Sequence, residues 1–295
     1  MTPAHFLTTL TLCAVGLIAG CGGGGSGSAR EAPGTVTVYA TGLSNPMHMV
    51  FDSAGVLYTA NKGANNIAKT VSVLNTEFKS LGGATNPIGI GIWNGTFYST
   101  ILVAGQQGLW QINLTNPASN QVINFPLALN ANFSGFAFDN NGIVFVADQT
   151  NLSVDWLGGS KTSIQSPTGV THRNGLIYIA SWVSSGKVYI YNPADDSLNE
   201  LGNGNLSFDY PYSVAFDSSG NAYVVEFGSD SNGINGALSQ ISKVTIAGVK
   251  SVFADATKGL CASVGIAIRD DYVYVSNGSC ASDPTKSNRI LKIAI

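Results

Sequence analysis

One pattern recurs six times along the chain, and it constrains the fold more than any other feature. Each copy has a loop, a short apolar strand, a tight turn and a second strand with an aromatic residue near its middle. Equivalent positions in successive copies are 34 to 52 residues apart. These positions are His48, Gly89, Gly135, Gly169, Ser213 and Gly265. A period of about 40–50 residues, with several strands per copy and no helical periodicity, is typical of propeller blades.

The two ends of the repeating region predict how the ring closes. The segment VTVYATGL at 36–43 resembles VFADATKGL at 252–260, which precedes the last inner strand as an outer strand. The C-terminal segment 289–295 is a third strand that lacks an outer partner. We therefore expect an all-β, six-bladed β-propeller over residues 35–295, closed by the N-terminal strand. Such closure removes two unpaired sheet edges.

The first twenty residues predict an export signal. Residues 6–20 are a mostly apolar run of 15, too short for the ~20 residues of a membrane span but suited to a secretory signal. The run ends in LIAGC at 17–21, which resembles the bacterial lipobox and implies a lipid on Cys21. An ordinary signal peptide cleaved nearby is the alternative. In a Gram-negative cell, Gly22 in place of Asp favours the outer membrane.

The next segment, 21–34, contains GGGGSGS and is typical of a flexible tether. We therefore expect three parts: a signal peptide at 1–20, a lipid-anchored tether at 21–34 and the propeller at 35–295. The membrane would be contacted through the N-terminal lipid only, and the protein would be an exported monomer.

Composition excludes one broad class of partner. Lys and Arg number 14 against 17 Asp and Glu, which gives a net charge of −3. A chain without a basic excess does not neutralise a phosphate backbone, so no nucleic-acid partner is expected.

The cysteines predict one disulfide. Cys13 leaves with the signal and Cys21 takes the lipid, so Cys261 and Cys280 remain in an oxidising compartment. Cys261 precedes the inner strand of the sixth blade and Cys280 follows its second strand. In an antiparallel blade these two points lie on the same face, on neighbouring strands about 5 Å apart. Two free thiols are the alternative.

The repeats resemble NHL repeats and the six-bladed, calcium-dependent phosphotriesterase-like superfamily, which includes regucalcin and gluconolactonase. The resemblance covers residues 36–295 and implies a divalent cation held by Glu, Asn, Asn and Asp near the starts of the inner strands. The corresponding slots here are Met47, Ile88, Ser134, Thr168, Tyr212 and Val264. None is a carboxylate or amide, whereas hard cations prefer several oxygen ligands. We expect no cofactor and no tightly bound metal in this ring, with calcium as the alternative.

Two further sets of residues are candidates for catalysis. The second strands end near Asn61, Asp148, Glu226 and Asn277. Asp148 and Glu226 could bind a metal or act as an acid–base pair, with Asn61 and Asn277 assisting. His48, at the mouth of the first blade, could act as a base. The alternatives are that the polar strand ends bond loop backbone and that His48 only lines the channel.

Aromatic side chains are the candidates for ligand binding. Trp182, Tyr210, Tyr212 and Phe227 fall in loops at the channel mouth, and aromatic faces among amides and hydroxyls suit sugars or peptides. Packing beneath their own loops is the alternative. The sequence thus favours a binding protein for an unknown small molecule or protein. A divergent lactonase-like hydrolase or lyase and a structural envelope module remain as other functions.

Overall fold

The computed structural model describes residues 30–103, 106–123, 132–229 and 236–295. Cys21, the signal peptide expected at 1–20 and most of the expected tether lie outside these residues. The propeller is one compact unit, Ala32–Ile295.

The propeller consists of six four-stranded antiparallel sheets, so the predicted fold class is confirmed. Blade I comprises β2 (Pro46–Phe51), β3 (Leu57–Asn61), β4 (Asn66–Ser72) and β5 (Asn75–Ser80). Blade II comprises β6 (Ile90–Trp93), β7 (Thr96–Val103), β8 (Gln106–Ile112) and β9 (Gln121–Val122). Blade III comprises β10 (Phe133–Phe138), β11 (Val144–Asp148), β12 (Ser153–Trp156) and β13 (Gly159–Lys161).

The other three blades have the same order from the channel outward. Blade IV comprises β14 (Pro167–Arg173), β15 (Leu176–Ser181), β16 (Val188–Asn192) and β17 (Ser197–Glu200). Blade V comprises β18 (Pro211–Phe216), β19 (Ala222–Glu226), β20 (Gln240–Val244) and β21 (Lys250–Ala254). Blade VI comprises β22 (Ser263–Arg269), β23 (Tyr272–Asn277), β24 (Arg289–Ala294) and, as its outer strand, β1 (Val36–Ala40).

Blade VI joins the two ends of the propeller, as predicted. Strand β1 pairs with β24 in antiparallel register, with Val36 opposite Ile293. Tyr39 is buried and its ring lies edge-on to that of Tyr274, 4.9 Å between centroids. The ring is therefore closed by both backbone pairing and apolar packing across the seam.

The up-and-down order of the strands gives the propeller two distinct faces. On the mouth face the inner strands begin and the second strands end. On the opposite face, here called the turn face, lie the turns that join first to second strands and third to fourth strands. Each described helix is a single 3₁₀ turn, at Lys62–Ala64, Pro117–Ser119, Ala256–Lys258 and Pro284–Lys286. Among the described residues, no helix is long and apolar enough to span a bilayer.

The core lies between neighbouring blades. Strands β3, β11 and β19 are buried at every residue, because each second strand is covered on both sides. The predicted aromatic anchors of these strands pack in this layer; Phe145 and Tyr223 are almost fully buried. Full burial on both faces explains why these strands are nearly continuous runs of apolar residues.

The turn face shows a second periodicity, of two blades. Three inner strands end in a planar side chain that packs on a phenylalanine of the next blade. The pairs are Trp93 on Phe138, Arg173 on Phe216 and Arg269 on Phe51, at 5.7, 5.1 and 5.6 Å. Blades I, III and V therefore accept this contact from blades VI, II and IV. Odd and even blades differ in local structure as well as in sequence.

Candidate functional site

The channel mouth is built by irregularities in the inner strands. In blades I, III, IV, V and VI the inner strand shifts register near its start, as at a β-bulge. A bulge re-aims the residues within it, and here these are five of the six slots where the resembling family carries metal ligands. The sixth, Ile88 of blade II, precedes its inner strand, which begins at Ile90 without a register shift. The sequence thus places the slots correctly, and their chemistry decides what the mouth can bind.

Four of the six slot residues form an apolar floor, and the other two, Ser134 and Thr168, are buried and polar. Met47, Ile88 and Val264 are buried in one cluster, and Tyr212 and Phe227 pack against it. Within the described chain, no group of three or more His, Cys, Asp or Glu side chains is placed to hold a metal ion. The floor offers surface for an apolar part of a ligand.

Backbone oxygens of the slots accept hydrogen bonds from neighbouring blades. The Ser276 Oγ donates to the Met47 carbonyl (2.9 Å), and the His48 amide donates to the Ile88 carbonyl (3.2 Å). Three more hydroxyls act in the same way. They are Thr100 to Ser134 at 2.7 Å, Thr168 to Tyr212 at 2.8 Å, and Ser213 to Val264. These bonds lock the blades together at the mouth, so the floor is rigid.

His48 occupies the channel just beneath this floor. Its ring centroid is 5.7 Å from that of Tyr212 in blade V, and it lines a cavity of about 70 Å³. The equivalent positions in the other blades are glycine or serine. A Cβ on Gly135 would lie 3.1 Å from the His48 Cε1. A single imidazole therefore fills the space that five small residues leave.

The imidazole of His48 is held neutral. Burial lowers the pKa of His48 to about 4, because the charged form loses its hydration. Its Nε2 is buried and has no hydrogen-bond partner in the described part of the chain. A neutral ring nitrogen without a partner can accept one hydrogen bond or donate one, depending on its tautomer.

The four predicted aromatic residues come together on the mouth face. The Trp182 ring lies 5.8, 6.5 and 6.2 Å from those of Tyr210, Tyr212 and Phe227, each edge-to-face. Backbone hydrogen bonds fix the loops, from the Phe227 amide to the Tyr210 carbonyl (3.0 Å) and from the Trp182 amide to the Ser166 carbonyl (2.9 Å). All four rings are half-buried. We call this group the aromatic cluster.

Two features set the aromatic cluster apart from the equivalent loops of the other blades. The Trp182 Nε1 is buried without a hydrogen-bond partner among the described residues, whereas buried indole N–H groups usually find one. Tyr210 has a φ of 53°, in the left-handed region, and the equivalent residues Asn45, Asn86, Ser166 and Ala262 share this conformation. The conformation belongs to the fold, and only the size of the side chain is particular to blade V. A bulky side chain there costs free energy that asparagine avoids. Strain of this kind concentrates at functional sites.

Burial also keeps the phenol of Tyr212 neutral. Desolvation raises the pKa of Tyr212 to about 12, and the Ser134 hydroxyl offsets part of that rise. With His48 also neutral, the centre of the mouth carries no charge near pH 7. It suits an uncharged ligand.

The polar ends of the second strands serve their own loops. Asp148 accepts hydrogen bonds from the backbone N–H groups of Asn132, Thr150 and Asn151 and from the Asn151 Nδ2, at 2.6–3.3 Å. Asn61 accepts one from the Ser44 amide at 2.7 Å. Both strand ends hold the loops beside them in place.

Glu226 and Asn277 are engaged in the same way. Glu226 accepts from the Asp209 amide at 2.6 Å and from the Ser242 hydroxyl, and Lys250 Nζ lies 3.3 Å from its Oε1. Asn277 donates to the carbonyls of Gly259 and Lys286. Every contact of Asp148 and of Glu226 described here stays within its own blade. The structure does not bring either carboxylate to His48.

The disulfide predicted between Cys261 and Cys280 is formed, with the two Cα atoms 5.6 Å apart. Both residues are buried on the mouth face of blade VI. The adjoining loop also reaches blade I, where the Asn288 Oδ1 accepts from the Asn45 amide at 2.7 Å. The bridge thus fixes a mouth loop next to the seam of the ring.

Comparison with known proteins shows the architecture and leaves the activity open. No protein-family model matches the chain, and no curated protein sequence matches it. Among solved structures, a luciferin-regenerating enzyme superposes with a TM-score of 0.65 at 14% identity, covering 90% of this chain and 96% of that one. Virginiamycin B lyase from Staphylococcus aureus gives 0.60 at 13% identity, with coverage of 85% and 80%.

A chain of the nidogen–laminin complex gives a TM-score of 0.56 at 17% identity, covering 84% of this chain and 98% of that one. Enzymes and a protein found in a complex with another protein thus share this architecture. At these identities the similarity concerns the fold alone, because one fold supports many functions. The chain is therefore similar in fold to six-bladed β-propellers.

Proposed function

We propose that this protein is an exported binding protein that takes an uncharged, sugar-like or peptide-like ligand at the mouth of its channel. The observation that carries the proposal is the buried, unpartnered indole N–H of Trp182 within the aromatic cluster. A ligand oxygen that accepts this hydrogen bond would remove the cost of leaving a buried donor unsatisfied.

The rest of the mouth suits such a ligand. Aromatic faces and the apolar floor of Met47, Ile88 and Val264 can cover its apolar side. The neutral His48 lies beneath this floor and adds no charge to the mouth. Pockets that combine apolar walls with a few polar atoms are typical of small-molecule sites.

Titration calorimetry with defined probes tests the proposal. The probes are maltotetraose, cellotetraose, chitotetraose, tetraalanine and tetraproline, each added to the wild type and to two variants. We expect at least one probe to bind, Trp182→Phe to weaken it about tenfold or more, and Trp93→Phe on the turn face to leave it unchanged. Equal affinity in all three proteins, or no binding of any probe, would contradict the proposal and favour a purely structural envelope module.

A hydrolase or lyase is the second candidate function, and the free Nε2 of His48 is the observation in its favour. A neutral imidazole facing the channel has the form that a general base requires. Its pKa of about 4 makes it a weak base, and Asp148 and Glu226 are held by their own loops. Turnover of a lactone or ester substrate that is lost in His48→Gln would support this alternative.

We further propose that Cys21 carries a lipid that anchors the protein after export. The proposal rests on the LIAGC sequence at 17–21 and on the apolar run before it. Replacing Cys21 with Ser should move the protein from the membrane fraction to the soluble fraction with its thermal unfolding unchanged. Unaltered partitioning would contradict the lipid anchor.

A further inference from the structure

The turn face carries exposed apolar side chains on alternate blades. The turns between third and fourth strands present Val73 and Leu74 in blade I, Leu157 in blade III, and Ile246 and Val249 in blade V. Their side chains are 54, 61, 70, 85 and 61% exposed, in that order. We call Leu74, Leu157 and Ile246 the apolar tips. Because alternate blades of a six-bladed ring are a third of a turn apart, these tips surround the propeller axis.

The turn face of the even blades is polar at its exposed turns. In blade IV the turn between third and fourth strands carries Asp195 and Asp196, and Asp196 pairs with Lys161 of blade III at 3.0 Å. In blade VI, Asp270 is 81% exposed beside Arg269. Charges of both signs are therefore interspersed. Any attraction of this face to a surface comes from the tips and not from an excess of positive charge.

The chain enters the propeller on this same face. Strand β1 begins at Val36, opposite Ile293 near the end of β24, and the Gly34 amide donates to the Ala294 carbonyl at 2.9 Å. Strand β24 ends on the turn face, so Thr35 lies there too. The segment between Cys21 and β1 has 14 residues and spans about 50 Å at most. An anchor at Cys21 would therefore attach to the propeller through its turn face.

We propose that the apolar tips rest on the lipid bilayer and hold the propeller with its mouth away from the membrane. This inference rests on the proposed anchor, which attaches to the propeller through its turn face. Three tips around the axis favour a broad, flat partner over a peptide, which would need a groove. Insertion of apolar turns into the interfacial region adds a second, weaker membrane signal to the lipid.

The orientation has a functional consequence. With the tips on the bilayer, the aromatic cluster and the channel mouth face the aqueous compartment. A ligand would be taken from solution and not from the membrane.

Quenching by brominated lipid tests the contact directly. Trp156 adjoins Leu157 in blade III, and its fluorescence reports the contact. The contribution of Trp156 is the part of the tryptophan emission that is lost in Trp156→Phe. The chain from Cys21 onward, without the expected signal peptide, is coupled through the Cys21 thiol to a maleimide lipid in phosphatidylcholine vesicles. This coupling supplies the anchor whether or not cells lipidate Cys21, so failure of the anchor and failure of the docking are distinguished.

We expect brominated phosphatidylcholine to quench Trp156, with no dependence on salt. The triple variant Leu74→Ser, Leu157→Ser, Ile246→Ser should reduce the quenching at least threefold. The matched control, Leu152→Ser with Leu238→Ser, changes exposed residues of the mouth face and should have no effect. Equal quenching in the triple variant, or loss of quenching in the control, would overturn the proposal. A lipid-free dimer that only the triple variant abolishes would assign the tips to a second copy of the chain and would overturn it too.

Discussion

The mouth face has two sets of polar groups that differ in where their hydrogen bonds go. The strand ends Asp148 and Glu226 direct their carboxylate oxygens to loops of their own blades. At the channel and in the aromatic cluster, the His48 Nε2 and the Trp182 Nε1 are buried without a partner among the described residues. The difference separates groups that stabilise the fold from groups that are free to bind.

This separation has an energetic basis. Buried polar groups are nearly always hydrogen-bonded, and leaving one unpaired costs about 1–3 kcal/mol. The strand ends avoid that cost within the folded chain. The cost at His48 and Trp182 is recovered only when something else supplies the partner, which a ligand would do.

Removing a strand-end carboxylate should have the largest effect on stability. Asp148→Ala leaves three loop N–H groups and the Asn151 amide without their acceptor, so we expect a loss of about 4 kcal/mol. Urea unfolding measures it, with Asp270→Ala on the exposed turn face as the control, expected within about 0.5 kcal/mol of wild type. A small effect of Asp148→Ala would mean that its loop bonds are dispensable and would reopen a catalytic role.

The neutral His48 should make stability depend on pH. Its pKa is about 4 in the folded protein against 6.5 for the unperturbed group, so the unfolded state binds more protons as pH decreases. The contribution of His48 to the free energy of unfolding is complete above pH 6.5 and decreases as the pH falls to about 4. Over this pH range, protonation of His48 in the unfolded state lowers the free energy of unfolding by about 3 kcal/mol.

Unfolding free energies at pH 7 and pH 4 check this for the wild type and His48→Gln. Carboxylates contribute to both proteins, so the difference between them isolates His48. We expect the wild type to lose about 3 kcal/mol more than the variant. Equal losses would show that the imidazole of His48 is hydrated and is not buried in the channel.

The smallest expected effect is at Tyr210, where stability and binding should move in opposite directions. Tyr210→Asn places in blade V the residue that blades I and II have at the same left-handed position. Relief of strain should stabilise the fold by about 0.5–1 kcal/mol, while loss of the ring weakens probe binding. Thermal unfolding and calorimetry on the same sample measure both. A destabilised variant with full affinity would reverse the assignment of Tyr210 to the binding surface.

Much of this architecture could be predicted from the sequence because the repeat carries it. Six copies define the blades, the similarity of 36–43 to 252–260 defines the closure, and the strand order places Cys261 beside Cys280. The slots at the inner-strand starts were also located correctly. In blade II the second strand, β7, is longer than its counterparts and continues to Val103. There Leu102 and Thr85 form a backbone bridge that the repeat does not show.

The functional assignment of individual polar residues could not be predicted in the same way. For Asp148 the sequence left two readings open, a catalytic carboxylate and an acceptor for loop backbone, and its spacing does not choose between them. Likewise the sequence does not show that the Trp182 Nε1 lacks a partner, since that depends on the path of several loops. The sequence does mark one residue of the binding surface, Tyr210, where a bulky residue before a proline replaces the asparagine of blades I and II.

The most direct test of a ligand site at the mouth is the indole N–H resonance of Trp182 in a ¹⁵N-resolved spectrum, assigned with Trp182→Phe. In the free protein we expect the chemical shift of an N–H without an acceptor. Saturation with a probe that binds by calorimetry should shift this resonance downfield as a hydrogen bond forms and leave that of Trp93 on the turn face unmoved. A bound probe that leaves the Trp182 resonance in place, or that shifts Trp93 instead, would contradict the account.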